Sequence, residues 1–349
     1  MSSSTAGATT ASDPAAFAAL IQRETAQYRS SAPPPAALAL DLDDALSYGA
    51  ALKGKVVIVT GAGSGFGRAY SRKVGELGAK LVLSDVRKEL AQEVADEITA
   101  KGGTATAIAC DVTDWDAQVR MFRHAVDTFG HLDVVVANAG IGEPESDRFM
   151  NLKAGPDGEP TKPGLRALGP NLQGVAYTAK LAFFHLDKNP VKEGKALVVL
   201  GSMASFFGLP GGPIYCASKH AVLGLVRSLV FDGLAFGINV NIVNPFFVKT
   251  NIFGTVASLL LAGIPLPSID DVVAAMIAAS SKPKTSGSAF VVDFKNIRGV
   301  LEVPFAATAA GPDNYYETFA RRAAGAIIFG KWLSDVISSV LGGFSSQRR

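Results

Sequence analysis

The sequence predicts an α/β protein built on a doubly wound, parallel β-sheet of about seven strands. Two features carry this prediction. From Lys55 to Val292, short and nearly continuous apolar runs alternate with stretches of helical periodicity, the pattern of strands covered on both faces. The glycine-rich and polar residues of chemical interest fall directly after those runs, at the strand carboxyl ends where open parallel sheets bind ligands.

Taken in order, residues 1–12 are rich in Ser, Thr and Ala, and Asp13 is placed to cap a short helix reaching Tyr28 before the Ser-Ser-Ala-Pro-Pro-Pro run at 30–35. We expect residues 1–50 to form a partly disordered N-terminal extension. Its segment Leu38 to Tyr48 mixes apolar residues with Asp41, Asp43 and Asp44, and the pattern leaves open whether it joins the main body. The main domain is expected over 51–303. Strands are predicted at Val56–Val59, Leu81–Leu83, Ala105–Ala109, Leu132–Ala137, Ala196–Leu200, Ile238–Val243 and Ala289–Val292, and helices from the first glycine turn to Leu77 and at 87–101, 115–129, 168–186, 212–236 and 269–281. Beyond Pro304, Tyr315, Tyr316 and Phe319 precede an apolar-rich helical pattern from Ala323 to Leu341. Residues 304–349 are expected to form a helical tail lying against the protein.

Composition removes several function classes. With 349 residues, 48% hydrophobic and 18% charged, the chain can bury a large core. The net charge is only +2, and Lys and Arg are scattered, so nucleic acid is not an expected partner. Two cysteines, Cys110 and Cys216, are too few for a disulfide framework, and His124, His131, His185 and His220 lack metal-ligand spacing; no metal is assigned. No run reaches the roughly 18 uncharged apolar residues of a membrane span. The N-terminus lacks a secretory pattern, and a transit peptide fits poorly because Arg23 is the first arginine and Asp13 intervenes. A soluble, cytoplasmic protein is expected.

The chemistry concentrates between Gly201 and Lys219. Tyr215 and Lys219 are four apart, so on a helix they share a face, and an ammonium beside the phenol is expected to pull the tyrosine below its usual value of about 10. Ser202, thirteen positions before Tyr215, is separated from it by a Gly/Pro-rich loop able to fold back. Tyr-x-x-x-Lys is common on amphipathic helices, so its meaning depends on a nucleotide site nearby. Thr60-Gly61-Ala62-Gly63-Ser64-Gly65-Phe66-Gly67 follows the first strand and opens into a helix, where backbone approaches a pyrophosphate and helix N–H groups are free to bind it. A glycine-rich turn can also be purely structural, and Asp85 tips the balance. It ends the second strand, where a carboxylate accepts both ribose hydroxyls of an adenosine and repels a 2′-phosphate, favouring NAD over NADP. Asp111 and Val112 after the third strand, and Asn138, Ala139 and Gly140 after the fourth, continue the same rim; turn and capping roles are the alternative for them.

Together these residues resemble the classical short-chain dehydrogenase/reductase family, over about Lys53 to Val292. Thr60 to Gly67 looks like its T-G-x-x-x-G-x-G, Asn138-Ala139-Gly140 like its N-A-G, and Asn171 in Asn-Leu-Gln-Gly like its helix asparagine. Tyr-Cys-Ala-Ser-Lys-His and the run from Leu132 are similar to NAD-dependent 15-hydroxyprostaglandin dehydrogenases. The resemblance implies a Rossmann-like fold and a catalytic set of Ser202, Tyr215, Lys219 and Asn171. Tyr215 would be the general base, Lys219 would lower its pKa and hold the nicotinamide ribose, Ser202 would steady the substrate oxygen, and Asn171 would anchor a relay water. Pro245, Val248 and Thr250 would border the nicotinamide. Phe246 stands where the family usually has glycine, and Pro170 precedes Asn171, so that a kink there would either place or misplace the asparagine. The segment Ile252 to Pro267, with Leu259, Leu260 and Leu261, is expected to close over an apolar alcohol or ketone, or else to pack on the core or on a second subunit. A homodimer or homotetramer is implied by the resemblance. NADPH-dependent ketone reduction and a non-catalytic nucleotide-binding scaffold are the alternatives.

Overall fold

A computed structural model describes residues 38–248 other than 145, 147 and 192, residues 266–292 other than 284, and residues 299–304. The expected N-terminal helix, Thr250, most of the expected lid and the tail beyond Pro304 lie outside the described residues.

The alternating apolar runs become the strands of one sheet. In chain order the elements are β1 (Leu38–Asp41), α1 (Leu42–Ser47), β2 (Val56–Thr60), α2 (Gly65–Glu76), β3 (Lys80–Asp85), α3 (Lys88–Ala100), β4 (Thr104–Ala109), α4 (Trp115–Phe129), β5 (Val134–Ala137), α5 (Val175–Asp187), β6 (Ala196–Leu200), α6 (Pro213–Phe236), β7 (Asn239–Pro245), α7 (Ile269–Ser281), β8 (Ser288–Val292) and β9 (Gly299–Pro304). The sheet order is β1-β9-β8-β7-β6-β5-β2-β3-β4. The seven strands β2 to β8 run parallel, in agreement with the expected doubly wound sheet. Two strands not expected from the pattern extend its edge: β9 pairs antiparallel with β8, and β1 with β9.

Strand order reverses between β2 and β5. Ile58 lies beside Val82 on one side and Val135 on the other, so the first two crossovers wind one way and the later ones the other. Residue alternation then divides the core. Val57, Val59, Val134 and Val136 face α2, α3 and α7, whereas Val56, Ile58 and Val135 face α4, α5 and α6. α7 is buried continuously from Val272 to Ser280, which explains its lack of a polar face. Its start is fixed by reciprocal Ser268 and Asp271 bonds. Asp114 caps α4 by accepting from Asp116 and Ala117 N–H, and Gly130 ends it at φ 83°.

One buried carboxylate holds the opposite rim of the sheet. Asp133, 1% exposed, accepts from the Val56 N–H at 2.8 Å, the Lys55 ammonium at 3.2 Å and the Asn189 amide at 3.0 Å, with His131 Nε2 3.0 Å away. We expect Asp133→Ala to orphan these groups and lower unfolding free energy by about 3 kcal/mol, read from urea denaturation.

Candidate active site

The strand reversal leaves a crevice between β2 and β5, and the glycine turn lies at its mouth. Gly61 (φ 64°) and Gly65 (φ 52°) adopt left-handed backbone. A Cβ on Gly63 would lie 2.6 Å from Leu90 Cβ and 2.9 Å from Asp85 Oδ2, and one on Gly67 would lie 2.5 Å from Asn138 Nδ2. Gly65 faces open space, and Ser64 makes no side-chain cap, so the first N–H groups of α2 are offered outward. Phe66 is half-buried against the core. This cradle fits a dinucleotide phosphate on the helix N-terminus.

Asp85 is buried at the end of β3. Oδ2 accepts from the Gly63 N–H and Oδ1 from the Arg87 N–H, both at 3.1 Å, so the carboxylate is fixed beside the turn with acceptor capacity to spare. The Asn138 side chain is directed inward. It donates to the Thr60 and Gly61 carbonyls at 2.8 and 3.1 Å, while Thr60 Oγ1 accepts from the Asn138 and Ala139 N–H groups, each at 3.1 Å. Asn138 thus stitches β5 to the turn. Asp111 is exposed and bonds Thr113 N and Oγ1 at 2.8 and 2.7 Å, while Val112 is buried, with Gly174 so close that a Cβ there would lie 2.7 Å from its side chain.

Pro170 places Asn171 rather than misplacing it. A π-helical turn over Gly169–Gly174 leads into α5 with proline in its first turn, where a missing N–H costs little. Asn171 is fully buried. Its Oδ1 accepts from the Ile141 N–H at 2.8 Å, and its Nδ2 donates to the Ile141 carbonyl at 2.9 Å and to Ser218 Oγ at 3.1 Å. Ser218 in turn donates to the Tyr215 carbonyl at 2.6 Å. The Asn171 side chain therefore braces the loop after β5 against the helix carrying Tyr215. Gly140 passes beside it, since a Cβ there would lie 2.9 Å from Asn171 Oδ1 and 3.8 Å from Lys219 Nζ.

Ser202, Tyr215 and Lys219 meet at the end of β6. Ser202 caps a short 3-10 turn by accepting from the Ala204 N–H at 3.1 Å, and its own N–H is held by Ser205 Oγ and Asn244 Oδ1, each at 3.2 Å. The Ser202 side chain lies near enough to the Tyr215 phenol to pull its pKa down. Lys219 is buried, donates to the Leu200 carbonyl at 2.7 Å and lies 5.8 Å from the Tyr215 ring centroid. Pro245 and Phe246 are buried at the end of β7, with the Phe246 N–H bonded to the Val292 carbonyl at 3.1 Å, and Val248 joins the core.

The expected lowering of Tyr215 is reversed in the protein alone. Burial pushes the phenol up, against the nearby Ser202 side chain that pulls it down, with the Cys216 thiol adding to the rise. Burial also pushes Lys219 down to about 8. Sequence spacing put the ammonium beside the phenol but could not show that both would lie in a dry interior, which disfavours charge on each.

Pattern reading missed two supporting residues. Ser218 sits three positions after Tyr215, a helical spacing that was legible. Asn244, fully buried, holds the Ser202 N–H across the sheet and leaves its Nδ2 without a partner among the described residues; nothing local signals that contact.

The comparisons with known proteins give the family. The short chain dehydrogenase family model matches residues 55–258. A hydroxynaphthalene reductase-like protein of Metarhizium brunneum is 33% identical over 239 residues, covering 64% of this chain and 81% of that protein. A secoisolariciresinol dehydrogenase of Forsythia intermedia is 36% identical (57% and 68% covered), and a versicolorin reductase of Emericella nidulans is 36% identical (59% and 74% covered). A solved 3-ketoacyl-(acyl-carrier-protein) reductase of Brucella melitensis complexed with NADH superposes with TM-score 0.60 at 28% identity, covering 70% of this chain and 98% of that one. A short-chain type dehydrogenase/reductase from Mycobacterium marinum gives 0.62 at 26% identity, covering 71% and 97%. The chain belongs to the short chain dehydrogenase family. It is an oxidoreductase of that family, whose reactions move a hydride to or from a nicotinamide cofactor.

Lys219 has a stability signature. Its value of about 8 in the folded protein lies below the ordinary 10.5, so the folded chain releases this proton before the unfolded chain does. Stability from this group therefore rises with pH between about 8 and 10.5, at about 1.4 kcal/mol per unit at most. Urea titrations of wild type and Lys219→Met from pH 7 to 10 are expected to move in the wild type's favour.

Proposed function

We propose that the protein reduces an apolar ketone, or oxidises the corresponding secondary alcohol, with NAD(H) and with Tyr215 as general acid/base. The observation that carries this reading is the approach of Ser202 and buried Lys219 to Tyr215, at the same sheet rim as the glycine turn and Asp85. Gly61 to Gly67 would hold the pyrophosphate and Asp85 the adenosine ribose. Pro245 and Val248 would border the nicotinamide, with Thr250 continuing that segment. A bound nicotinamide supplies or accepts the hydride.

In the reducing direction the phenol, held protonated by burial, donates its proton to the carbonyl oxygen. Ser202 Oγ donates a hydrogen bond to that oxygen and opposes the build-up of charge. Lys219, charged below about 8, restores polarity next to the phenol after the transfer. In the oxidising direction the same phenol must first lose its proton, which its burial opposes. At neutral pH the resting phenol is therefore in the protonated form that reduction uses.

Asp85 supports NAD over NADP, because a buried carboxylate fixed by the Gly63 and Arg87 N–H groups accepts ribose hydroxyls and repels a phosphate. The segments that follow β6 and β7 are aromatic in composition. Phe206 and Phe207 follow the Ser202 turn, and Phe246 meets Phe247 edge to face at 5.0 Å after β7. They support an aromatic or otherwise flat apolar substrate, in keeping with the hydroxynaphthalene in one relative's name. Subunit pairing through α5 and α6 fits the exposed Phe184 and Phe236 on these helices, and a cytoplasmic location fits the free thiols of Cys110 and Cys216.

Tyr215→Phe is expected to lower kcat for ketone reduction about a thousandfold while NADH still binds by fluorescence titration; retained turnover would remove Tyr215 from its role. Asp85→Ala is expected to weaken NADH and strengthen NADPH, shifting their affinity ratio by about tenfold or more. An unchanged ratio would overturn the assignment of NAD.

A further inference from the structure

The helix that carries Tyr215 has no residue of its own to cap it. α6 starts at Pro213, which has no N–H, and is preceded by Gly212, which has no side chain. The next two donors, the N–H groups of Ile214 and Tyr215, precede the first intrahelical bond, in which the Cys216 N–H meets the Gly212 carbonyl at 2.9 Å. A helix start needs acceptors for such groups. Both are supplied from a distant loop. Glu143 Oε2 accepts from Ile214 at 2.8 Å and from Tyr215 at 3.2 Å, across some seventy residues of sequence. The other oxygen, Oε1, accepts from the Phe149 N–H at 3.3 Å, so the same carboxylate holds the loop that follows β5.

We propose that Glu143 is a positioning residue for catalysis, an N-cap supplied in trans along the chain that sets the place and tilt of Tyr215 by bonding its backbone N–H. The inference rests on the reading of Tyr215 as the acid/base. Two restraints then act on one peptide stretch. Glu143 holds the Tyr215 N–H and Ser218 holds its carbonyl. Glu143 and Ile141 lie two residues apart on the loop that follows β5, and Ile141 is the partner of Asn171. The loop therefore reaches the catalytic helix by two independent routes, one through Asn171 and Ser218 and one directly through Glu143. A negative group at a helix N-terminus also opposes the positive end of the helix dipole, which favours this attachment over a neutral contact.

The test uses the full-length protein and three readouts: kcat for ketone reduction, NADH affinity by fluorescence titration, and amide exchange at Ile214 and Tyr215. Glu143→Ala is expected to lower kcat about tenfold and to leave NADH affinity within about twofold, because the glycine turn lies on other elements. Glu143→Gln keeps an oxygen acceptor and is expected to retain kcat within about threefold of wild type. In wild type the Ile214 and Tyr215 amides are expected to exchange slowly. Wild-type kcat in Glu143→Ala, equal losses in Glu143→Gln and Glu143→Ala, a fall in NADH affinity in step with kcat, or unprotected Ile214 and Tyr215 amides in wild type would each overturn the proposal. Should Glu143→Ala fail to fold, Glu143→Gln and the wild-type exchange decide. If Tyr215→Phe retains turnover, the reading of the active site fails; if it is inactive while Glu143→Ala is unaffected, only the role of Glu143 fails.

Discussion

The reversal of strand order between β2 and β5 is the constraint on which the rest of the site depends. At that point the chain cannot fill the space above the sheet with its own crossover helices, so a crevice must open. What keeps the crevice in one shape is a small set of hydrogen bonds between Asn138 and Thr60. Their backbone and side-chain groups are reciprocally paired, so β5 and the glycine turn move as one piece. With Gly67 pressed against the Gly61 carbonyl and Asn138, no side chain larger than hydrogen fits there. The glycines and the asparagine are thus two halves of one device, the first opening room for a ligand and the second fixing its floor.

From this floor a second chain of bonds leads to Tyr215 and Ser202. Ile141 leaves the end of the β5 segment and is held twice by Asn171, which reaches Ser218, which reaches the Tyr215 backbone. Across the sheet, Asn244 reaches the Ser202 N–H. Nearly every polar atom of this network is buried and paired, as a dry interior requires. The same dryness acts on the two ionisable groups, raising the phenol of Tyr215 and lowering Lys219 to about 8. Burial thus sets a neutral phenol next to a weakened ammonium.

Much of this was legible without a structure. Strands and helices of the main sheet follow the apolar alternation closely, because each element buries its own stripe or faces locally and its period is set by backbone geometry. Ser202, Tyr215 and Lys219 were legible because helical spacing and a strand end fix them within a few residues of one another. The place of the glycine turn and of Asp85 at strand ends was legible because each directly follows or ends an apolar run. The edge strands β1 and β9 were not. They are four and six residues long; β1 is a strand only because β9 lies beside it, a pairing across more than 250 positions, and β9 because it lies between β1 and β8.

The sequence by itself determined the fold class, the positions of the glycine turn and of Ser202, Tyr215 and Lys219, and the family they point to, since all of these rest on local pattern and composition. Only the tertiary structure decided how the groups are held and charged. That Asn138 faces inward, that Asn171 braces Ile141 and Ser218 from a proline-opened π turn, that Asn244 reaches Ser202 and Glu143 reaches Tyr215, and that burial reverses the expected shift of Tyr215 all depend on residues far apart in the chain. Burial and long-range hydrogen bonding are properties of the packed whole, and no window of sequence contains both partners.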